Sequence, residues 1–318
     1  MFRTTQIAFS LILLAQFSFG QQVPSGVENI DFLTTFGSDS QKNYGDDDFT
    51  QVFFFVVPFD NSLPVYIRIF DPETGGKNDL SNHGFNTTTH FAVYGGNGAF
   101  SNEAAHDVNP STGYTSGILM KEETFTSEPQ YDNKWYTFGP FNPVEGEKSE
   151  KNNGYIFKIV ISGKTGDDGN LYRMFLSSSA ETNIPVEGGN AFTYEYSFRL
   201  KSESGTVTHL YPYIDEDVTS IEQHNFDFDG DGEFVLYSVS KNRHLSSTSG
   251  NGDWATDNHT IDPKERNTTL DFQILKKGNF DNDMVVYLVN QYNQPIPFFA
   301  IPIGGAPKFE YKVKVTKK

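Results

Sequence analysis

The chain has 318 residues and a formal net charge of -17, with a pI near 4.7. So large an excess of carboxylates excludes nucleic acid as a partner, because phosphate binding draws on Lys and Arg, and it favours divalent cations and neutral or basic partners. With no Cys in the chain there is no disulfide, no thiol nucleophile and no thiol for lipid attachment.

Taken in chain order, the first element is a secretory signal peptide over residues 1–20. Arg3 supplies a positive start and Ile7 to Phe19 an apolar run. Ser18 and Gly20 then put small residues at the cleavage site before Gln21. Gln21 also stands where a lipoprotein would need Cys. A membrane-spanning helix needs roughly 20 consecutive apolar residues, and no stretch of the chain supplies them. The expectation is an exported protein of the periplasm or outer cell surface, without direct membrane insertion. Export without Cys reads as bacterial. The polar make-up, rich in Asn, Gly, Ser, Thr, Tyr and Phe, resembles exported proteins of Bacteroidota.

The apolar segments that follow read as strands. Gln51 to Val57 is apolar almost throughout, the pattern of a strand covered on both faces. Tyr155, Phe157, Ile159 and Ile161 alternate with polar or smaller neighbours. Phe192 to Leu200 alternates without a break, Phe192, Tyr194, Tyr196, Phe198 and Leu200 against Thr193, Glu195, Ser197 and Arg199, whose side is expected to face water. Phe309, Tyr311, Val313 and Val315 repeat the pattern. Gly, Asn, Asp and Pro punctuate the chain about every ten residues, and no long helical period occurs. The fold class is all-β, with two tandem β-sandwich domains after the signal peptide. The polar segment Ser177 to Gly189 is the expected linker, giving domain one at 27–178 and domain two at 188–318. Tyr155 to Leu176 reads as a hairpin around a Gly- and Asp-rich turn. That hairpin, with the Leu63 to Phe70 strand, resembles the closing hairpin of bacterial pre-peptidase-type sandwich domains, which supports the fold class alone.

One segment carries chemistry. Asp227, Asp229 and Asp231 occupy alternate positions and Gly232 follows, a D-x-D-x-D-G run. Carboxylates this close repel one another unless a hard cation neutralises them, and calcium takes about six to eight oxygen ligands. The loop resembles those of thrombospondin type 3, dockerin and FG-GAP repeats. It departs from the EF-hand at the twelfth position, Ser238, and from FG-GAP at the ninth, Val235. The resemblance implies Asp227, Asp229 and Asp231 as side-chain ligands and Glu233 as a carbonyl ligand. Asp215, Glu216 and Asp217 are the nearest candidates for a missing carboxylate.

A second acidic constellation gathers Asp46, Asp47 and Asp48 before one strand and Asp71, Glu73 and Asp79 after another. If Gln51 to Val57 and Val65 to Phe70 pair through Asp60, Asn61 and Ser62, both loops meet at one rim, with Asp167 and Asp168 adjoining. The seven His are scattered without zinc spacing, and no G-x-S-x-G nucleophile motif occurs. No catalytic residue is singled out, and a non-enzymatic protein is expected. Trp135 reads as core, whereas Trp254, flanked by polar residues, is placed to stack on a sugar. Asn86, Asn258 and Asn267 head sequons that carry no weight in a bacterial chain. The composite expectation is a calcium-binding structural or interaction subunit of a cell-envelope assembly, at the periplasm or outer membrane, with other envelope proteins as partners. The alternative is a glycan-binding or adhesion module.

Overall fold

The computed structural model describes residues 21–108 and 114–311. The signal peptide expected over residues 1–20 lies outside the described residues. Among the described residues there is no α-helix, and short 3-10 turns interrupt an otherwise antiparallel β chain. The nine-stranded sheet runs Trp254–Thr260, Ser220–Phe226, Asn282–Asn290, Glu195–Leu200, Phe32–Phe36, Gly169–Ser177, Val65–Phe70 and Trp135–Phe141 in spatial order, with Gln22–Val23 paired beside Gly169–Ser177. The seven-stranded sheet runs Phe298–Phe299, Asn190–Thr193, Thr50–Pro58, Gly154–Thr165, Thr88–Gly95 and Ile118–Phe125, with Glu147–Ser149 on Gly154–Thr165. A four-stranded sheet contains Val207–Leu210, Asp271–Lys276, Gly232–Tyr237 and His244–Ser246.

Period-two alternation fixes what lies between these layers. Phe53, Phe55 and Val57 meet Ile67, Ile69, Met174 and Leu176 in one buried cluster, so the seven-stranded sheet stacks on the first-half end of the long sheet. Phe91 meets Tyr172 edge-on at 5.4 Å across that layer. The four-stranded sheet covers the other end, where His259 meets Phe272 at 5.7 Å. Thr50–Pro58 is buried along nearly its whole length. Its second face, with Phe54 and Val56, lies under Phe192, Ala99 and Ala105. The chain is therefore an all-β stack of sandwiches.

The two halves share sheets. Phe32–Phe36 pairs with Glu195–Leu200, and Thr50–Pro58 pairs with Asn190–Thr193. The polar Ser177 to Gly189 segment connects the halves in sequence, but hydrogen-bonded ladders join them in space. The unbroken strand expected from Phe192 to Leu200 is two strands. Asn190–Thr193 belongs to the seven-stranded sheet and Glu195–Leu200 to the long one, with Tyr194 at the crossing. Its polar side does not face water as expected: Thr193, Glu195 and Ser197 are all buried, because the other half packs over them. Gln51 Nε2 donates to Thr34 O (2.7 Å) and to the Tyr172 hydroxyl (3.1 Å), while Ser197 N donates to Gln51 Oε1 (3.2 Å).

Other expectations about pairing are corrected. Gly154–Thr165 and Gly169–Ser177 do not form a hairpin, since they lie in different sheets and residues 166–168 carry the chain between layers. Gly163 permits this passage: a Cβ there would sit 1.9 Å from Phe36 O. Gln51 to Val57 and Val65 to Phe70 likewise lie in different sheets, so they do not pair. Alternation specifies which face is buried and is silent about the partner strand. Phe309 to Tyr311 form no strand, and Val313 and Val315 lie outside the described residues. Trp135 is half-buried on an edge strand, with Phe70 at 5.4 Å and the Arg68 guanidinium 5.2 Å from its ring centre, rather than inside the core.

Shared ladders make unfolding of the halves one event. The chain's two Trp, Trp135 and Trp254, sit in opposite halves. Single-Trp variants Trp135→Phe and Trp254→Phe are expected to melt with coincident fluorescence midpoints. Two separated midpoints would show halves that unfold independently.

Candidate metal centre

The Asp227–Glu233 loop joins Ser220–Phe226 to Gly232–Tyr237. Asp227 (φ 58°), Asp229 (φ 57°) and Gly230 (φ 64°) all adopt the left-handed conformation, which Asp and Gly tolerate better than other residues. Between them Phe228 is fully buried and anchors the loop on the core. Phe228 N donates to Ser249 Oγ (2.9 Å) and Gly230 N to Ser249 O (2.8 Å).

The side chains of Asp227, Asp229 and Asp231, the expected side-chain ligands, and of Glu233, expected through its carbonyl, take separate partners. Asp231 is buried against Lys276, with Nζ 2.7 Å from Oδ2, and its Oδ1 accepts from Gly278 N at 2.6 Å. A carboxylate with a buried ammonium partner is already neutralised. Glu233 pairs with Arg243 and lies 3.6 Å from Lys277. Asp227 is buried and accepts from Gly252 N at 2.5 Å through Oδ1. Asp229 is exposed and accepts from Asn282 Nδ2 at 2.8 Å.

Asp227 and Asp229 open onto a cavity of about 270 Å³. Its wall also carries Asp281, Asn282 and Asp283 from the second half and Asn82 and Asp167 from the first. Arg199 answers part of this charge, 2.6 Å from Asp283 and 4.0 Å from Asp281. The residues flanking Asp227 and Asp229 are thus Asp281 and Asp283. Asp215 instead pairs with Lys151 at 2.7 Å and lines, with Asp217, a different cleft. Burial, with Asp229 and Asp283 nearby, pushes the Asp227 carboxyl up to about 7, against the pull of the Gly252 amide. Carboxylate and amide oxygens without His or Cys suit a hard cation such as calcium.

The second constellation divides. Asp46 accepts from Phe36 N (2.9 Å) and Phe49 N (2.8 Å), locking a turn. Asp168 accepts from Asn82 N (2.8 Å), Asn86 N (2.6 Å) and Thr87 N (3.1 Å). Asp71 and Glu73 instead meet Asp132, and ligand atoms of these three lie within 4.8 Å of one another. Asp132 and the Asp281–Asp283 pair were missed from sequence. The run Asp281-Asn282-Asp283 entering an apolar strand was the available signal for the latter.

Asp227 generates a pH prediction. Its folded carboxyl keeps the proton up to about 7, against 3.8 in the unfolded chain. The stability this contributes is complete below the unfolded value and is lost as pH rises through the folded one. In chelator, wild type should melt lower at about pH 8 than at about pH 5, and Asp227→Asn should lose less over that window. Equal losses in thermal melts of both proteins would remove Asp227 from the account.

No family model matches the chain, and no curated protein does. Solved structures similar to it include the infectious bursal disease virus Gx strain, at 11% identity over 85% of this chain and 74% of that one, with a TM-score of 0.16. The VP2 subviral particle of the same virus gives 10% identity over 85% and 76%, with a TM-score of 0.15. The T13 particle of that virus gives 10% over 86% and 74%, with a TM-score of 0.18. Likeness at this level carries no argument about what the chain does.

Proposed function

We propose that this protein is a non-enzymatic, calcium-binding structural or interaction subunit of a bacterial cell-envelope assembly, exported to the periplasm or outer-membrane surface. The observation that carries the calcium part is the cavity where Asp227 and Asp229 face Asp281, Asp283 and Asp167. A cation there neutralises carboxylates from both halves and braces their junction. The export part rests on the Arg3 to Gly20 pattern and the absence of Cys. Among the described residues no helix is long and apolar enough to cross a membrane.

Calcium that binds only the folded state adds RT ln(1 + [L]/Kd) to stability, about 2.7 kcal/mol at a hundredfold excess over Kd. Wild type is expected to melt several degrees higher in calcium than in chelator, and Asp229→Ala to lose a large part of that difference. Identical melts of wild type in both buffers would reject the calcium reading.

A second reading, glycan binding, is favoured by one feature. Trp254 remains 36% exposed at the edge of the long sheet. Its ring lies 5.2 Å from Tyr287, which stacks on His224 at 4.3 Å. A partly exposed Trp ring backed by Tyr287 and His224 offers a stacking platform for a sugar. A glycan binder should give an array signal that Trp254→Ala abolishes while its melt is unchanged. A structural subunit should give no signal and co-migrate with a larger envelope complex.

A further inference from the structure

Two loops cross between the sheets of the first sandwich at the same rim. Residues 71–87 lead from Val65–Phe70 in the long sheet to Thr88–Gly95 in the seven-stranded one, and residues 126–134 lead from Ile118–Phe125 back to Trp135–Phe141. Asp71 and Glu73 come from the first crossing and Asp132 from the second. Asp71 and Glu73 are almost wholly buried, at 0% and 1% exposure.

Neighbouring donors hold these carboxylates without neutralising them. Asp71 Oδ1 accepts from Asn133 N (2.8 Å) and Oδ2 from Asn78 Nδ2 (2.6 Å). Glu73 Oε2 accepts from Glu128 N at 2.8 Å. The second Glu73 oxygen, Oε1, is buried and has no hydrogen-bond partner. A carboxylate oxygen buried without a partner carries a desolvation cost that a ligand would relieve. The cationic group that acts on Asp71 is Arg173, whose guanidinium is laid over the Phe32 ring at 4.2 Å and donates through Nε to Asp31 O. Among the described residues no Lys or Arg forms an ion pair with Asp71, Glu73 or Asp132.

We propose that Asp71, Glu73 and Asp132 form a second divalent-cation site, of calcium type, that staples the two crossing loops together. Two oxygens each about 2.4 Å from a calcium ion can be at most about 4.8 Å apart. The ligand atoms of the three carboxylates meet that bound. The donors are all oxygen, which selects a hard cation over zinc or copper. Gly75 and Gly76 keep the approach open: a Cβ on Gly75 would lie 2.7 Å from Glu73 Oε2, and one on Gly76 (φ +69°) 2.3 Å from Asp132 Oδ1. This site shares no residue with the Asp227–Glu233 loop and stands independently of it.

The test is calorimetric titration of chelator-treated protein with calcium chloride, for wild type, Glu73→Gln, Asp132→Asn and Asp229→Asn. Glu73→Gln and Asp132→Asn should each weaken one binding component at least about tenfold, while Asp229→Asn leaves that component intact. Asp132 is half-exposed, so Asp132→Asn keeps the test decisive if Glu73→Gln does not fold, with circular dichroism as the check. A single ion lost in Asp132→Asn and retained in Asp229→Asn supports this site and rejects the loop reading. Wild-type affinity and stoichiometry in Asp132→Asn, or no calcium bound by wild type, overturns this site.

Discussion

A strand that leaves one sheet and enters another must satisfy its backbone groups in both, and Asn190 to Leu200 does this at the centre of the molecule. Its first three residues pair with Thr50–Pro58, and from Glu195 onward it pairs with Asn282–Asn290 and, through Phe198 and Arg199, with Phe32–Phe36. At the crossing, Thr193 Oγ1 lies 2.6 Å from both Val52 O and Glu195 O, so the corner is tied by a side chain where the ladder changes partner. The halves hold together because unpaired backbone groups at this corner would be buried from water.

The polar residues around the joint are buried as a connected set. Gln51 links Thr34, Tyr172 and Ser197, Thr34 donates to Asp283 at 2.9 Å, and Asp283 pairs with Arg199. Satisfied buried networks specify one arrangement of the surrounding strands, whereas a half-satisfied one is costly. This set ends at the wall of the acidic cavity, since Asp283 belongs to both. Charge placed in that cavity therefore acts on the groups that register the two halves.

The acidic loops differ in how their charge is answered. Asp231 and Glu233 carry cationic partners in Lys276 and Arg243, so one of the three D-x-D-x-D-G carboxylates is already answered by the protein itself. Asp227 and Asp229 have only amide donors. At the crossing loops of the first sandwich, Asp71, Glu73 and Asp132 have amides and an unpartnered Glu73 oxygen. Proximity in sequence concentrates carboxylates, but whether they bind an ion depends on which of them a neighbouring strand has already neutralised.

Periodicity alone determined a good deal here. The alternation at Tyr155 to Ile161 and the apolar run at Gln51 to Val57 specify strands and their buried faces, because side-chain direction in a strand is a local property of the backbone. The all-β class followed from the same property. The Asp227 loop was legible as a turn for a similar reason, since Asp and Gly at those positions suit left-handed conformations. Tertiary structure alone decided which strands pair, why Thr193 and Ser197 are buried, and that Asp132 reaches Asp71 across more than half a sandwich of intervening chain. Those outcomes depend on contacts between residues distant in sequence, and a pattern of period two contains no term for the identity of the partner strand.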